Sequence, residues 1–183
     1  MKRQILSLLI LPVLLAGCGE HAPEQAPAIA LEPNQDKLRA SVVVHAEQMQ
    51  KEFMAGNLDA FVAYMHPDII PIMGGVEKVK ATVAPDLANM LKTIEGTDMG
   101  KVSDVLVDSG RYVAVVPVET LYKFPDSRLL QTTYRIACSR DDGGSWTFMD
   151  GQGRRDQEDF FRQKFPVLGK YVAFPKCTNK RVK

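Results

Sequence analysis

At Gly96 the hydrophobic period of this 183-residue chain changes from that of a helix to that of a strand, and this change sets the fold class. Upstream, Leu38, Val42, Ala46, Met49 and Phe53 recur at three- and four-residue spacing. They predict a long amphipathic helix over residues 36–55 that Gly56 ends in a left-handed stop. Asn57 then caps a short helix through Leu58, Phe61, Val62 and Met65, which Pro67 terminates. An apolar run at 69–73 leads into a Gly74-Gly75 turn, after which Val76, Val79 and Val83 open a third helical segment. Pro85 is expected to kink or restart that segment, because an interior proline costs about 3 kcal/mol. Leu87, Met90, Leu91 and Ile94 continue its stripe. Downstream, alternation predicts strands at 101–108, 111–124, 128–140 and 146–150. Helices first and strands afterwards imply an α+β domain built on an antiparallel sheet.

The longest predicted hairpin carries an apolar even-numbered set on each arm: Tyr112, Ala114, Val116, Val118, Thr120 and Tyr122 on the first, Leu130, Thr132, Tyr134, Ile136 and Cys138 on the second. A two-residue turn at Asp126-Ser127 would pair even with odd positions and set Tyr134 opposite Glu119. The hydrophobic pattern therefore argues for a three- or five-residue loop, or a bulge. Glu119 then lands near Arg135, as a cross-strand pair on the wetter face or, alternatively, as a catalytic carboxylate.

The first residues carry an address. Lys2 and Arg3, an apolar stretch at 5–15 and Leu15-Ala16-Gly17-Cys18 make a secretory signal too short to span a bilayer comfortably. The four-residue motif resembles a bacterial lipobox. The resemblance implies acylation of Cys18, cleavage before it and stable anchoring by several acyl chains, each buried methylene adding about 0.8 kcal/mol. Gly19 after the Cys resembles lipoproteins sent to the outer membrane, which implies a periplasm-facing, lipid-anchored domain. Removing the first 17 of 183 residues leaves 166, enough for one domain with a core. Removing Lys2 and Arg3 from the 23 basic residues leaves 21 against 22 acidic, a balance that offers nothing to nucleic acid. Residues 18–35, with Pro23, Pro27 and Pro33, read as a tether. Two cysteines then remain, Cys138 and Cys177. In an oxidising compartment they are expected to pair, closing a loop of about forty residues for roughly 4 kcal/mol and pinning the tail to the sheet.

The order of elements, with Gly56-Asn57-Leu58-Asp59-Ala60-Phe61, His66-Pro67-Asp68 and Gly74-Gly75 at its joints, resembles the nuclear transport factor 2-like superfamily, which includes SnoaL-like and ketosteroid isomerase-like proteins. The resemblance spans roughly residues 36–152. It implies a curved sheet wrapped around the long helix as a cone with an apolar cavity, in a family of both enzymes and non-catalytic binders. Residues 153–183 depart from the pattern. They predict a helix through Gln157-Glu158-Asp159-Phe160-Phe161 and a tail available to cover the cavity or a dimer face.

Chemical constellations are sparse. His21, His45 and His66 show no metal-ligand spacing, and no cofactor motif appears. Ser139, Asp141, Gly143 and Trp146 resemble one copy of the Asp-box of sialidases and other propellers. A single copy reads as a self-capped hairpin with Trp packed beneath. Acid–base chemistry would need an inward carboxylate or tyrosine, for which Asp68, Asp150 and Tyr134 are the candidates. The favoured reading is a non-catalytic binder, the alternative an isomerase- or cyclase-like acid–base enzyme in the same cavity. A small apolar ligand would use the face around Tyr64, Tyr112, Val116, Val118, Tyr134 and Trp146. A protein partner, or a second copy joined through the sheet, would use the face around Gln131, Thr133 and Arg135. The basic end, Lys176, Lys180, Arg181 and Lys183, is either solvated or drawn to anionic lipid.

Overall fold

The computed structural model describes residues 34–151 and 155–182, so the Cys18 motif lies outside the described residues. Helix α1 (Gln35–Met54) buries Leu38, Val42, Ala46 and Met49, the stripe expected from their spacing. The chain leaves it through Gly56 at φ +74°. Asn57 Oδ1 then accepts the Ala60 N–H at 3.3 Å, starting α2 (Leu58–Ala63). The one-turn α3 (Ile69–Ile72) and the longer α4 (Val76–Thr93) follow. Helix α4 continues through Pro85 without restarting there. The carbonyl that Pro85 leaves without a partner belongs to Ala81, on the exposed side of the helix where water can take it.

The sheet has six antiparallel strands among the described residues: β1 (Ile94–Met99), β2 (Leu106–Asp108), β3 (Arg111–Phe124), β4 (Ser127–Ser139), β5 (Thr147–Asp150) and β6 (Thr178–Val182). Strands β3 and β4 are central. β1 and β2 share the outer edge of β3, and β5 and β6 share the outer edge of β4. Pro117 explains why the expected strand over 101–108 shrinks to three residues. Its carbonyl accepts the Gly100 N–H at 2.8 Å, so its nitrogen, which has no hydrogen to donate, faces the same edge. The chain leaves the ladder opposite it, between Met99 and Leu106. Ser103 Oγ fills part of the gap by accepting the Val115 N–H at 2.9 Å.

Phe124 pairs with Ser127 across a two-residue turn, Pro125-Asp126, so even positions of β3 stand opposite odd positions of β4. The expected longer loop is therefore incorrect. Tyr134 faces Pro117, Glu119 faces Thr132, and Arg135 faces Val116. The expectation failed because it allowed the sheet one apolar face, whereas both faces are buried. On the inner face Ala114, Val116 and Ala137 pack with the α1 stripe, Val102, Val105, Trp146 and Phe148. On the outer face Val113, Val115, Tyr134, Ile136 and Cys138 lie beneath Phe161, Phe165 and Leu168. These belong to α5 (Arg155–Lys164), α6 (Pro166–Tyr171) and the residue between them.

The hairpin between β4 and β5 closes on itself as expected. Asp141 Oδ1 takes the Ser145 N–H at 2.9 Å and the Ser139 hydroxyl at 2.7 Å, and Ser145 with Ser139 holds its carboxyl down to about 2. Buried Trp146 donates to Ser41 Oγ at 3.1 Å, fixing this turn to α1. The expected bridge between Cys138 and Cys177 is not formed. Both thiols are free, and Cys177 Sγ donates to the Gly151 carbonyl at 3.0 Å. Burial pushes the Cys138 thiol up to about 12. The tail is held by the ladder of β6 along Arg128–Thr132 instead.

Asp108 joins the sheet to the C-terminal helices. It is buried, and its Oδ2 accepts the N–H groups of Val167 and Leu168 at 2.8 and 3.1 Å, satisfying the first turn of α6 from outside the helix. Replacing Asp108 with Ala leaves one buried and one part-buried donor without acceptors and is expected to cost about 1–3 kcal/mol in urea unfolding, with Asp108→Asn intermediate.

Candidate functional site

Between the inner face of the sheet and helices α1 to α4 lies a cavity of about 470 Å³, within the usual range for small-molecule sites. Its two walls differ in chemistry. The helical wall is apolar: Met49 and Phe53 of α1, Phe61 of α2, Met65, Ile69 and Met73 around α3, and Val79, Val83 and Met90 of α4. The sheet wall begins with Val118 and becomes polar through Thr120, Tyr122, Gln131, Thr133, Arg135 and Asp150. Met73 and Met90 are each 41% exposed, which places the mouth at α3 and α4.

Arg135 organises the polar wall. Its Nε donates to Asp150 Oδ1 at 2.9 Å and its Nη2 to Gln50 Oε1 at 3.0 Å, while the Asp150 carboxylate stays half exposed. Tyr122 hydroxyl donates to Gln131 Oε1 at 3.2 Å, and burial pushes that phenol above its ordinary range. The side chains that make this wall come from even positions of β3 and odd positions of β4, so the two-residue turn is what assembles it.

The residues expected to line one ligand face separate. Val118 lines the cavity. Val116 and Trp146 are solid core, with Tyr64 and Tyr112 packed against them. Tyr134 is on the opposite face, stacked on Phe174 at 5.4 Å, and burial pushes its phenol up to about 12. A methyl group at Gly151 would stand 2.3 Å from its ring, which is why that position carries glycine. Gln131, Thr133 and Arg135, expected on an exposed partner face, line the cavity instead. Of the three acid–base candidates, Asp150 alone lies in the cavity. Gln50 carries no mark in the sequence that sets it apart from the other polar residues of α1, and Met49 and Met90 read as members of ordinary apolar core stripes.

Asp68 belongs to a second cluster, outside the cavity lining. Lys164 Nζ donates to its Oδ2 at 2.6 Å, with Arg111 and Arg140 at 4.0 and 3.8 Å, and Lys164 first among them holds its carboxyl below the ordinary range. Beside it, buried His66 accepts the Asp68 N–H on Nδ1 at 3.1 Å. Its backbone N–H also donates to the Phe148 carbonyl at 2.9 Å, so the segment between α2 and α3 is tied both to β5 and to α5. No group of three or more His, Cys, Asp and Glu among the described residues is arranged to hold a metal ion, and none of their helices is long and apolar enough to cross a membrane.

Burial lowers the His66 imidazole from 6.5 to about 4, the nearby Asp68 carboxylate opposing it. Between those values the unfolded chain binds a proton that the folded chain does not. Stability contributed by neutral His66 is thus complete above about pH 6.5 and is lost as pH falls toward 4. Urea midpoints taken from pH 7.5 to 4.5 should decline by an amount equivalent to about 2–3 kcal/mol, and His66→Gln should flatten most of that decline; the Asp68 carboxyl, held low, contributes below that window.

No family model, curated protein or solved structure matches this chain.

Proposed function

We propose that this chain is a bacterial lipoprotein whose nuclear transport factor 2-like domain, held to the envelope by acylated Cys18 and facing the periplasm, binds a small, largely apolar ligand without transforming it. The carrying observation is the cavity: a methionine- and phenylalanine-rich helical wall over a polar sheet wall whose two charged side chains, Arg135 and Asp150, are paired with each other at 2.9 Å. Methionine suits such a wall because its unbranched, polarisable chain adapts to an irregular ligand. The enzyme reading needs an acid, a base and a reacting atom at one point. Asp68 instead sits among Lys164, Arg111 and Arg140, Tyr134 packs on the far side of the sheet, and Asp150 is engaged by Arg135. The three do not converge. The fold reading draws support from the α+β architecture, with α1 laid across an antiparallel sheet and the cavity between them.

Two experiments test this. Filling the cavity with Val118→Phe should reduce retention of a bound apolar ligand at least tenfold, while Asp68→Asn and Asp150→Asn leave retention of an uncharged ligand within a few-fold. An acid–base enzyme behaves oppositely, losing about 10²–10⁴ in turnover on removal of its carboxylate. Separately, Cys18→Ser should leave the protein unprocessed or released from washed membranes. A variant that is still cleaved and still fractionates with membranes would defeat the lipoprotein assignment.

A further inference from the structure

The polar wall of the cavity is balanced in charge and incompletely spent in hydrogen bonds, and together these describe the ligand. Arg135 and Asp150 are the charged side chains lining the cavity among the described residues, of opposite sign and paired at 2.9 Å, so these lining charges sum to zero. An ionised headgroup placed against the pair gives up its water without a net counter-charge. An uncharged oxygen suffers no such penalty.

The guanidinium has donors to spare for such an oxygen. Of its five N–H groups, one on Nε is taken by Asp150 and one on Nη2 by Gln50, while Nη1 is shut away from solvent with no acceptor at all. Gln50 accepts from Nη2 at 3.0 Å, and its amide nitrogen makes only a long contact with Thr97 Oγ1 at 3.5 Å. Turning that amide aside opens the Nη edge of Arg135 to a ligand acceptor and keeps Asp150 in place on Nε. The apolar helical wall opposite takes the remainder of the molecule.

We infer that the cavity selects an uncharged amphiphile, an apolar chain or plate bearing an amide-, ester- or ketone-type oxygen that accepts from Arg135, and discriminates against ionised molecules of the same size. This rests on the cavity being a ligand site. Competition against Nile red, an uncharged dye whose emission reports an apolar site, tests it with three ligands of one chain length near neutral pH: decanamide, decanoate and decylammonium. Decanamide should displace the dye from the wild-type protein at a concentration at least about tenfold below either ion, because each ion gives up its water to a lining without net counter-charge. In Arg135→Met, where the lining keeps its carboxylate and loses its cation, decylammonium should gain on decanoate and become the best competitor. In Asp150→Asn, the gentler change at a half-exposed side chain, decanoate should take that place. Wild-type displacement by decanoate as strong as by decanamide overturns the inference, as does a ranking unchanged in both variants, and either result leaves the cavity standing as a ligand site. Failure of the wild-type protein to bind Nile red at all removes the cavity reading itself.

Discussion

The turn at Pro125-Asp126 decides which chemistry faces which layer. Strand β4 carries useful side chains on both faces, Tyr134, Ile136 and Cys138 on one, Gln131, Thr133 and Arg135 on the other. A slip of one residue against β3 would exchange these sets, putting the guanidinium under Phe161 and Phe165 and an aromatic ring into the cavity. A proline at the first turn position presets its backbone and helps hold the loop to two residues. Everything specific about the polar wall, including the ion pair of Arg135 with Asp150 from β5, follows from that register.

A sheet covered on both faces also accounts for what was and was not legible in the sequence. Helix α1 was readable because one of its sides is exposed, so Leu38, Val42, Ala46 and Met49 stand out against polar neighbours. The joint at Gly56-Asn57 and the self-capped turn from Ser139 to Trp146 were readable because their hydrogen bonds are local. In β3, by contrast, Val113 to Val116 are all buried and the alternation that marks a face disappears. The inward residues thus could not be sorted from the outward ones. Strand β6 is nearly all exposed and rich in lysine, arginine and asparagine, residues that read as a solvated tail; only its pairing with Arg128–Thr132 makes it a strand. Its charged side chains suit an edge, where they discourage further pairing.

The C-terminal segment is part of the same cooperative unit as the sheet. Asp108 satisfies the first turn of α6, and Lys164 of α5 closes on Asp68 near the start of α3. The link thus passes around the sheet edge, from the outer helical layer to the segment that borders the cavity. His66, buried beside Phe165 and bonded to the β5 backbone, fixes the position of that segment from within. A segment held at both ends in this way gives the cavity a firm floor of Met65 and Ile69.

Helix α4 is built on different terms. Of its eighteen residues, Val79 and Leu87 are the buried ones, Pro85 removes one of its internal hydrogen bonds, and its ends leave Val76 and Met90 partly open to water. With so little area to lose, local opening of this helix costs less free energy than unfolding of the sheet. Exchange between solvent and the cavity can then run through brief excursions of this one helix while strand register, and with it the placement of Arg135, is untouched. For a ligand held as proposed above, residence time is then set by α4 and selectivity by β4, so that each can drift in evolution without altering the other.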